Sequence, residues 1–476
     1  MSFFTTLFNF SNDYLWGILL IIMLIGIGLY FSVRTKFVQF RMIFEMFRLL
    51  GEGAVQSGEK KGVSSFQAFC ISTASRVGTG NLAGVALAIT TGGPGAVFWM
   101  WLIALIGSAS AFVEATLAQI YKVTDEATGT FRGGPAYYME KALNARWMGI
   151  LFSILISITF GLAFNSVQAN TIASAFNNAF HVDPRWTGLI ITVITALIIF
   201  GGITRIAKVA ELMVPFMAGL YILLAIYVIA TNIPALPAMF ELIFSDAFNG
   251  FKGLLGGAVG AAIMQGIKRG LFSNEAGMGS APNAAATANV THPVKQGLIQ
   301  ALGVFVDTLV ICSSTAFIIL LSGMYKSSNS DGIALTQAAL GHEIGSWATT
   351  LIAIIVLLFA FSSIVGNYYY GESNIEFINS NRIWLFIYRL AVIGMVIYGS
   401  VAKLEFVWNL ADLFMALMAI VNLIAIALLG NIAFKALRNY KEQKRAGKDP
   451  VFYSDTIPGL KNIEAWESSK KINKTK

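Results

Sequence analysis

The chain has 476 residues, of which 56% are hydrophobic and only 12% charged, with a mean hydropathy of +0.69. Soluble domains carry about 25% charged residues, so this composition excludes a soluble domain and points to a polytopic membrane protein. The formal net charge of +8 lies in a few loops and the last stretch of chain, where it reports topology rather than a nucleic-acid footprint.

A criterion of about twenty apolar residues per crossing divides the chain into about eleven transmembrane helices. Their expected limits are 14–33, 65–91, 95–121, 147–178, 187–203, 209–231, 253–278, 297–324, 346–370, 383–400 and 407–434. The fifth is short, and Gly201-Gly202 blurs its end. No Lys or Arg precedes Arg34, so the charged n-region of a cleavable leader is missing and none is expected.

Basic residues gather in every second loop. Arg34, Lys36, Arg41, Arg48, Lys60 and Lys61 follow the first span, and Lys122, Arg132, Lys141 and Arg146 follow the third. Arg205 and Lys208, then Lys295, then Arg382 follow the fifth, seventh and ninth, and Lys435, Arg438, Lys441, Lys444 and Arg445 follow the last. The intervening loops are poor in Lys and Arg. The rule that basic loops stay inside puts the N-terminus outside and the C-terminus in the cytoplasm of a cell (plasma) membrane.

Two spans carry groups that a lipid-facing helix avoids. The second contains Arg76, Gly78, Thr79, Gly80 and Asn81 at mid-depth, and the seventh contains Gly256-Gly257, Gly260 and then Gln265 through Gly279. Glycines beside Asn and Thr loosen a helix where lipid cannot satisfy the freed backbone groups. Such a break persists only where it lines a protein-enclosed cavity, which in transporters is the substrate and ion site. The broken spans are five apart and enter from opposite sides. An inverted repeat of two five-helix halves therefore follows, residues 65–231 and 232–434, with a peripheral helix and basic loop at 1–64 and a basic cytoplasmic tail at 435–476.

With the first break near Val77–Gly80, the restarted half-helix offers its free N–H groups and positive end to a carboxylate. The carbonyls of Ala74 and Val77 at the opposing negative end suit a cation. The second break supplies Gln265, Phe272, Ser273, Asn274 and Glu275. There Ser273 or Asn274 can cap the restarted helix with Glu275 in its first turn, and Phe272 reads as a pocket wall. Lys268 and Arg269 lie toward the cytoplasmic half, where they can snorkel to headgroups.

Gln168 in the fourth span either reaches substrate or makes an interhelical hydrogen bond. Ser362 and Ser363 in the ninth either supply oxygen to a monovalent cation or bond back to a carbonyl one turn earlier. Arg76, Glu114 and Asp307 are the deep charges. By depth an Arg76–Asp307 ion pair is the first reading, with gating or proton relay second, and Glu114 falls closer to the cytoplasmic end.

Enzyme-like signals fail on inspection. Gly53 to Lys60 nearly spells a phosphate loop, but Glu59 separates Gly58 from Lys60 and no strand precedes it. Cys70 and Cys312 have no metal-ligand spacing, and His342-Glu343 lacks a second His one turn on. No catalytic cluster is expected, and the chain reads as a transporter rather than an enzyme.

Three blocks carry a family resemblance: Val77-Gly-Thr-Gly-Asn-Leu-Ala-Gly84, Gly92-Gly-Pro-Gly-Ala-Val-Phe-Trp-Met-Trp101 and Lys268-Arg-Gly-Leu-Phe-Ser-Asn-Glu-Ala-Gly-Met-Gly-Ser-Ala-Pro282. The chain resembles the alanine or glycine:cation symporters, also called sodium:alanine symporters. These are similar to the amino acid–polyamine–cation superfamily, with its LeuT-type 5+5 inverted repeat. The resemblance implies import of alanine or glycine driven by sodium (Na+) as the coupling ion. By position it gives Thr79, Gly80 and Asn81 to the substrate carboxylate, Gln168 to its polar end, and Phe272 and Met278 to limiting side-chain size. It gives Ala74, Val77, Ser362 and Ser363 to sodium, while Arg76 departs from the superfamily pattern. A proton-coupled permease for another small neutral amino acid is the runner-up.

Overall fold

The structure is a computed structural model and describes residues 3–55, 63–125, 129–200, 202–249, 260–327 and 330–469. Lys60, Lys61 and the Gly256-Gly257 pair lie outside the described residues, as does the end of the near phosphate loop.

The first span is one long helix, α1 (Phe3–Arg34), followed in the first basic loop by α2 (Ile43–Val55). The second span is two helices, α3 (Ser65–Arg76) and α4 (Gly80–Gly92). Next come α5 (Ala96–Ile120), a small antiparallel hairpin of β1 (Val123–Asp125) and β2 (Thr130–Arg132), and α6 (Pro135–Leu143). Then come α7 (Arg146–Phe180), α8 (Pro184–Ile199) and α9 (Gly202–Thr231). A loop helix, α10 (Leu236–Asn249), precedes α11 (Ala261–Asn274), inside the expected seventh span, and α12 (Ala281–Thr287), just beyond it. The rest is α13 (Pro293–Ser322), α14 (Gly332–Ile344), α15 (Trp347–Ile378), α16 (Arg382–Val401) and α17 (Leu404–Arg445).

Among the described residues, eight helices are long and apolar enough to cross a bilayer, while α4 and α8 are shorter apolar helices. The helix starts follow local chemistry. Ser64 and Gln67 form a reciprocal capping box at α3, with both N–H···O distances 3.1 Å. Asp183 Oδ1 accepts the Arg185 N–H at 2.8 Å, and Pro184 pre-sets the first turn. That cap explains why α8 begins at 184 rather than 187.

α5 is buried through most of its length and packs along α11 and α13, while α7 packs against α15 and α16. At one end of the bundle a cavity brings together Asn12 of α1, Thr91 of α4, Asp331 and Leu404. At the other end Arg48, Lys295, Lys444 and Asp449 gather. The chain beyond α17 folds back over this second end. The Phe452 N–H donates to Thr291 O at 2.8 Å, and Trp466 Nε1 donates to Gln119 O at 2.9 Å. Lys122 Nζ donates to Ala288 O at 2.8 Å and sits 3.9 Å from the Phe131 ring centre, and burial pushes its ammonium down to about 7.

Candidate functional site

The first break falls where the Gly/Asn/Thr cluster predicts it. The Val77 N–H makes the last bond of α3, to Thr73 O at 2.8 Å, and Val77 then leaves the helix at φ −79°, ψ 87°. α4 restarts at once with a wide, π-type turn over Gly80–Gly84. Its first free donors meet side-chain oxygens: the Gly78 N–H donates to Asn81 Oδ1 at 2.9 Å and the Thr79 N–H to Gln168 Oε1 at 3.0 Å. The Thr79 hydroxyl is buried with no partner among the described residues. Gly78 has to be glycine, because a Cβ there would fall onto Ser363 Oγ and 3.0 Å from Gln168 Oε1.

Asp307 joins the two breaks. It lies in a wide turn of α13 (Val306–Cys312) and accepts from Asn81 Nδ2 at 2.7 Å, Ser273 Oγ at 2.8 Å and Thr308 Oγ1 at 2.9 Å. Phe272 walls the same region. Its ring centre is 4.3 Å from Phe164 and 4.7 Å from Trp408, and a Cβ on Gly80 would stand 2.8 Å from its Cδ1. Thr79, Gly80, Asn81, Gln168, Phe272 and Ser273 therefore converge. Met278 is buried within the second break.

The second break differs from its expected form. α11 runs unbroken through Gln265 and Asn274, and the interruption is the segment 275–280. Glu275 (φ 58°), Gly277 (φ 84°) and Gly279 (φ 90°) alternate into left-handed backbone, which no right-handed helix tolerates. Ser273 and Asn274 thus end α11 instead of capping a restarted helix, and Glu275 is outside any first turn. α12 restarts at Ala281 with Pro282 in its first turn, and Ser280 makes no side-chain cap.

Gln265 is not part of this cluster. Ten residues of helix, about 15 Å, separate it from Glu275. It lines a cavity of about 590 Å³ with Asn12, Thr91, Lys268, Arg269, Trp408 and Asp412. Lys268 and Arg269 do not snorkel to cytoplasmic headgroups. They face this cavity beside the starts of α1 and α17, at the end opposite the C-terminal tail. Arg269 pairs with both Asp412 oxygens at 3.0 and 2.9 Å, and Lys268 Nζ lies 3.4 Å from Asp412 and donates to Asn12 Oδ1 at 2.7 Å. The apolar surroundings make a shared carboxylate a better partner than a long reach to water.

The expected Arg76–Asp307 ion pair is not formed. Arg76 Nη1 reaches only Gln300 O, at 3.5 Å, and Nε and Nη2 have no hydrogen-bond partner among the described residues. The guanidinium lies over Gly303, one helical turn before Asp307, and the wide turn of α13 aims Asp307 at Asn81 and Ser273 instead. Glu114 is engaged at the second break: Oε1 accepts the Gly277 N–H at 3.1 Å and Oε2 accepts from Asn422 Nδ2 at 2.8 Å. It therefore holds the second break from the last third of α5.

For a hard cation the oxygens on hand are those of Ala74, Ser362 and Ser363. Ser363 Oγ lies 2.9 Å and Ser362 Oγ 3.4 Å from Ala74 O. Both hydroxyls also bond back to Phe359 O, at 3.1 and 2.8 Å, the back-bonding expected of serines in a helix. Val77 stands at the break, three residues after Ala74. Uncharged hydroxyl and carbonyl oxygens suit a monovalent hard ion better than a transition metal.

Four further residues enter the network without having been singled out for a role: Ser75, Asn165, Asn367 and Asp412. The available signal was charge inside apolar sequence, which marks Asp412 as much as Arg76.

The family model described as the sodium:alanine symporter family matches residues 1–454. The chain belongs to that family. A sodium:alanine symporter family member with two broken helices and this fold is a transporter of amino acids in a membrane, not an enzyme. The chain is 59% identical to the amino-acid carrier protein AlsT of Bacillus subtilis, covering 98% of this chain and 99% of the relative. It is also 59% identical to the probable sodium/glutamine symporter GlnT of the same organism, covering 96% and 95%. The sodium/alanine symporter AgcS of Methanococcus maripaludis is 36% identical, covering 93% and 98%. Among solved structures, MhsT in complex with L-phenylalanine is similar in fold, with TM-score 0.59, 15% identity, and 80% of this chain and 97% of that chain covered. This likeness places the chain in the LeuT-type fold class.

Proposed function

We propose that this family member is a sodium-coupled secondary symporter that imports alanine or glycine by alternating access. The observation that carries the reading is the first break, where the N–H end of α4 and the carbonyl end of α3 face one enclosed region lined by Gln168, Phe272 and Ser363. A zwitterion has a charge for each end. Its carboxylate would take the α4 N-terminus at Thr79, Gly80 and Asn81, displacing the Gln168 carbonyl from the Thr79 N–H. Sodium would sit between α3 and α15, on Ala74, Ser362 and Ser363, with Val77 at the same break. Alternating access would rock one helix group against another around the two breaks of an inverted repeat, 65–231 and 232–434, with the N-terminus outside, the C-terminus in the cytoplasm and the Gln265 cavity on the external side.

Phe272 packed between the tilted rings of Phe164 and Trp408, with its edge against Gly80, favours a substrate no larger than alanine. The probable glutamine symporter among the relatives gives glutamine as the second reading. The test is uptake of labelled alanine into proteoliposomes, with sodium gradient, proton gradient and voltage varied separately. Uptake should follow the sodium gradient and compete with excess glycine far better than with glutamine. Uptake that follows only the proton gradient, or that glutamine outcompetes, would replace this reading.

A further inference from the structure

A buried hydrogen-bond chain links both breaks to α7 and α15, and its polarity can be followed atom by atom. Asn165 Nδ2 donates to Gly161 O at 3.2 Å, and Asn367 Nδ2 donates to Asn165 Oδ1 at 3.0 Å. Asn367 Oδ1 is then left facing Ser75 Oγ at 2.7 Å. On its other side Ser75 Oγ meets Glu275 Oε1 at 2.8 Å, and Glu275 Oε2 takes the Ser280 hydroxyl at 2.6 Å. All of these residues are fully buried or nearly so.

Ser75 has one proton and two acceptor oxygens in reach. If it donates to an ionised Glu275, its lone pair faces the Asn367 carbonyl oxygen at 2.7 Å. Turning the Asn367 amide moves the clash to Asn165. Turning both amides moves it to the Gly161 carbonyl at 3.2 Å. Every arrangement with a bare carboxylate leaves one oxygen pair buried without a hydrogen, at a cost comparable to a lost hydrogen bond. A proton on Glu275 Oε1 resolves the chain from end to end: Glu275 donates to Ser75, Ser75 to Asn367, Asn367 to Asn165 and Asn165 to Gly161.

Charge balance points the same way. The ionisable groups facing Glu275 are Arg76 from α3, Asp307 from α13 and Tyr370 from α15. Asp307 and Glu114 each receive only donors, the arrangement an ionised carboxylate needs, so Arg76 is already outnumbered. A donor arriving at Ser75 from Tyr370 would leave the count unchanged, since Ser75 would still have one proton for two acceptors.

We propose that Glu275 is a proton-binding site and that its carboxyl proton ties the second broken helix to the first through Ser75. Losing that proton leaves Ser75 with one hydrogen for two acceptors, so its bonds to Glu275 and to Asn367 are both made only while the proton is present. The site needs neither alanine nor sodium, so its test stands apart from the transport reading.

The test is infrared spectroscopy of the purified protein in lipid nanodiscs at neutral pH, in H2O and D2O, comparing wild type with Glu275→Gln. Glutamine keeps a donor toward Ser75 and an acceptor for Ser280, so the chain and fold are retained. The wild type should show a protonated-carboxyl C=O band that shifts in D2O, and Glu275→Gln should lose it. Glu114→Gln and Asp307→Asn should keep it, which carries the assignment even if Glu275→Gln folds poorly. Identical wild-type and Glu275→Gln spectra, or loss of the band in Glu114→Gln or Asp307→Asn, would overturn the proposal.

Discussion

Asn81→Ala is expected to lower alanine uptake by about 30-fold or more while the protein still inserts in the membrane. The side chain is used at both ends, Oδ1 on the Gly78 N–H and Nδ2 on Asp307. Truncation strands a backbone donor and removes one of three donors from a buried carboxylate. Each stranded group costs about 1–3 kcal/mol, and roughly 2 kcal/mol at the binding site already corresponds to about 30-fold. Labelled-alanine uptake normalised to protein in the membrane fraction checks this. Wild-type uptake from Asn81→Ala would separate Asn81 from the substrate site.

Asp412→Ala is expected to destabilise the fold more than any other single truncation of a buried carboxylate. It leaves Arg269 and Lys268 as two buried cations without a counter-ion, and breaking one buried pair already costs about 3–5 kcal/mol. The Arg269 guanidinium also lies 4.5 Å from the Trp408 ring centre, so the loss would reach the residue stacked on Phe272. Thermal unfolding of detergent-purified protein should show a large drop in midpoint. Replacing all three charges together, Lys268→Met, Arg269→Met and Asp412→Leu, should recover most of it, because an apolar trio needs no counter-ion. An Asp412→Ala midpoint equal to wild type would contradict the pairing.

The sequence made the first break legible because its cause is local. Gly78, Thr79, Gly80 and Asn81 cannot hold a lipid-facing helix together, and the same four residues carry the half-helix end. Thr79, Gln168 and Phe272 meet as expected, each being a polar or aromatic oddity at similar depth in its span. The second break was expected just before Ser273 or Asn274, with Glu275 in the first turn of a restarted helix. The chain actually turns where left-handed backbone recurs at Glu275, Gly277 and Gly279, a property of φ that composition does not encode. Pairing failed for a related reason. Depth alone put Arg76 with Asp307, but the wide turn of α13 rotates Asp307 away, and Asp412 is distant in sequence from the two cations it holds. The loop helices α2, α6, α10 and α14 are too short to register against a twenty-residue criterion.

The coupling of alanine to sodium at the first break is tested most directly by titrating alanine into purified protein at several sodium concentrations, and sodium at several alanine concentrations. Because the α4 end proposed for the carboxylate and the α3 end proposed for the ion belong to one interrupted span, each ligand should tighten the other by the same factor. An alanine affinity unchanged between sodium-free and sodium-saturated protein would contradict it.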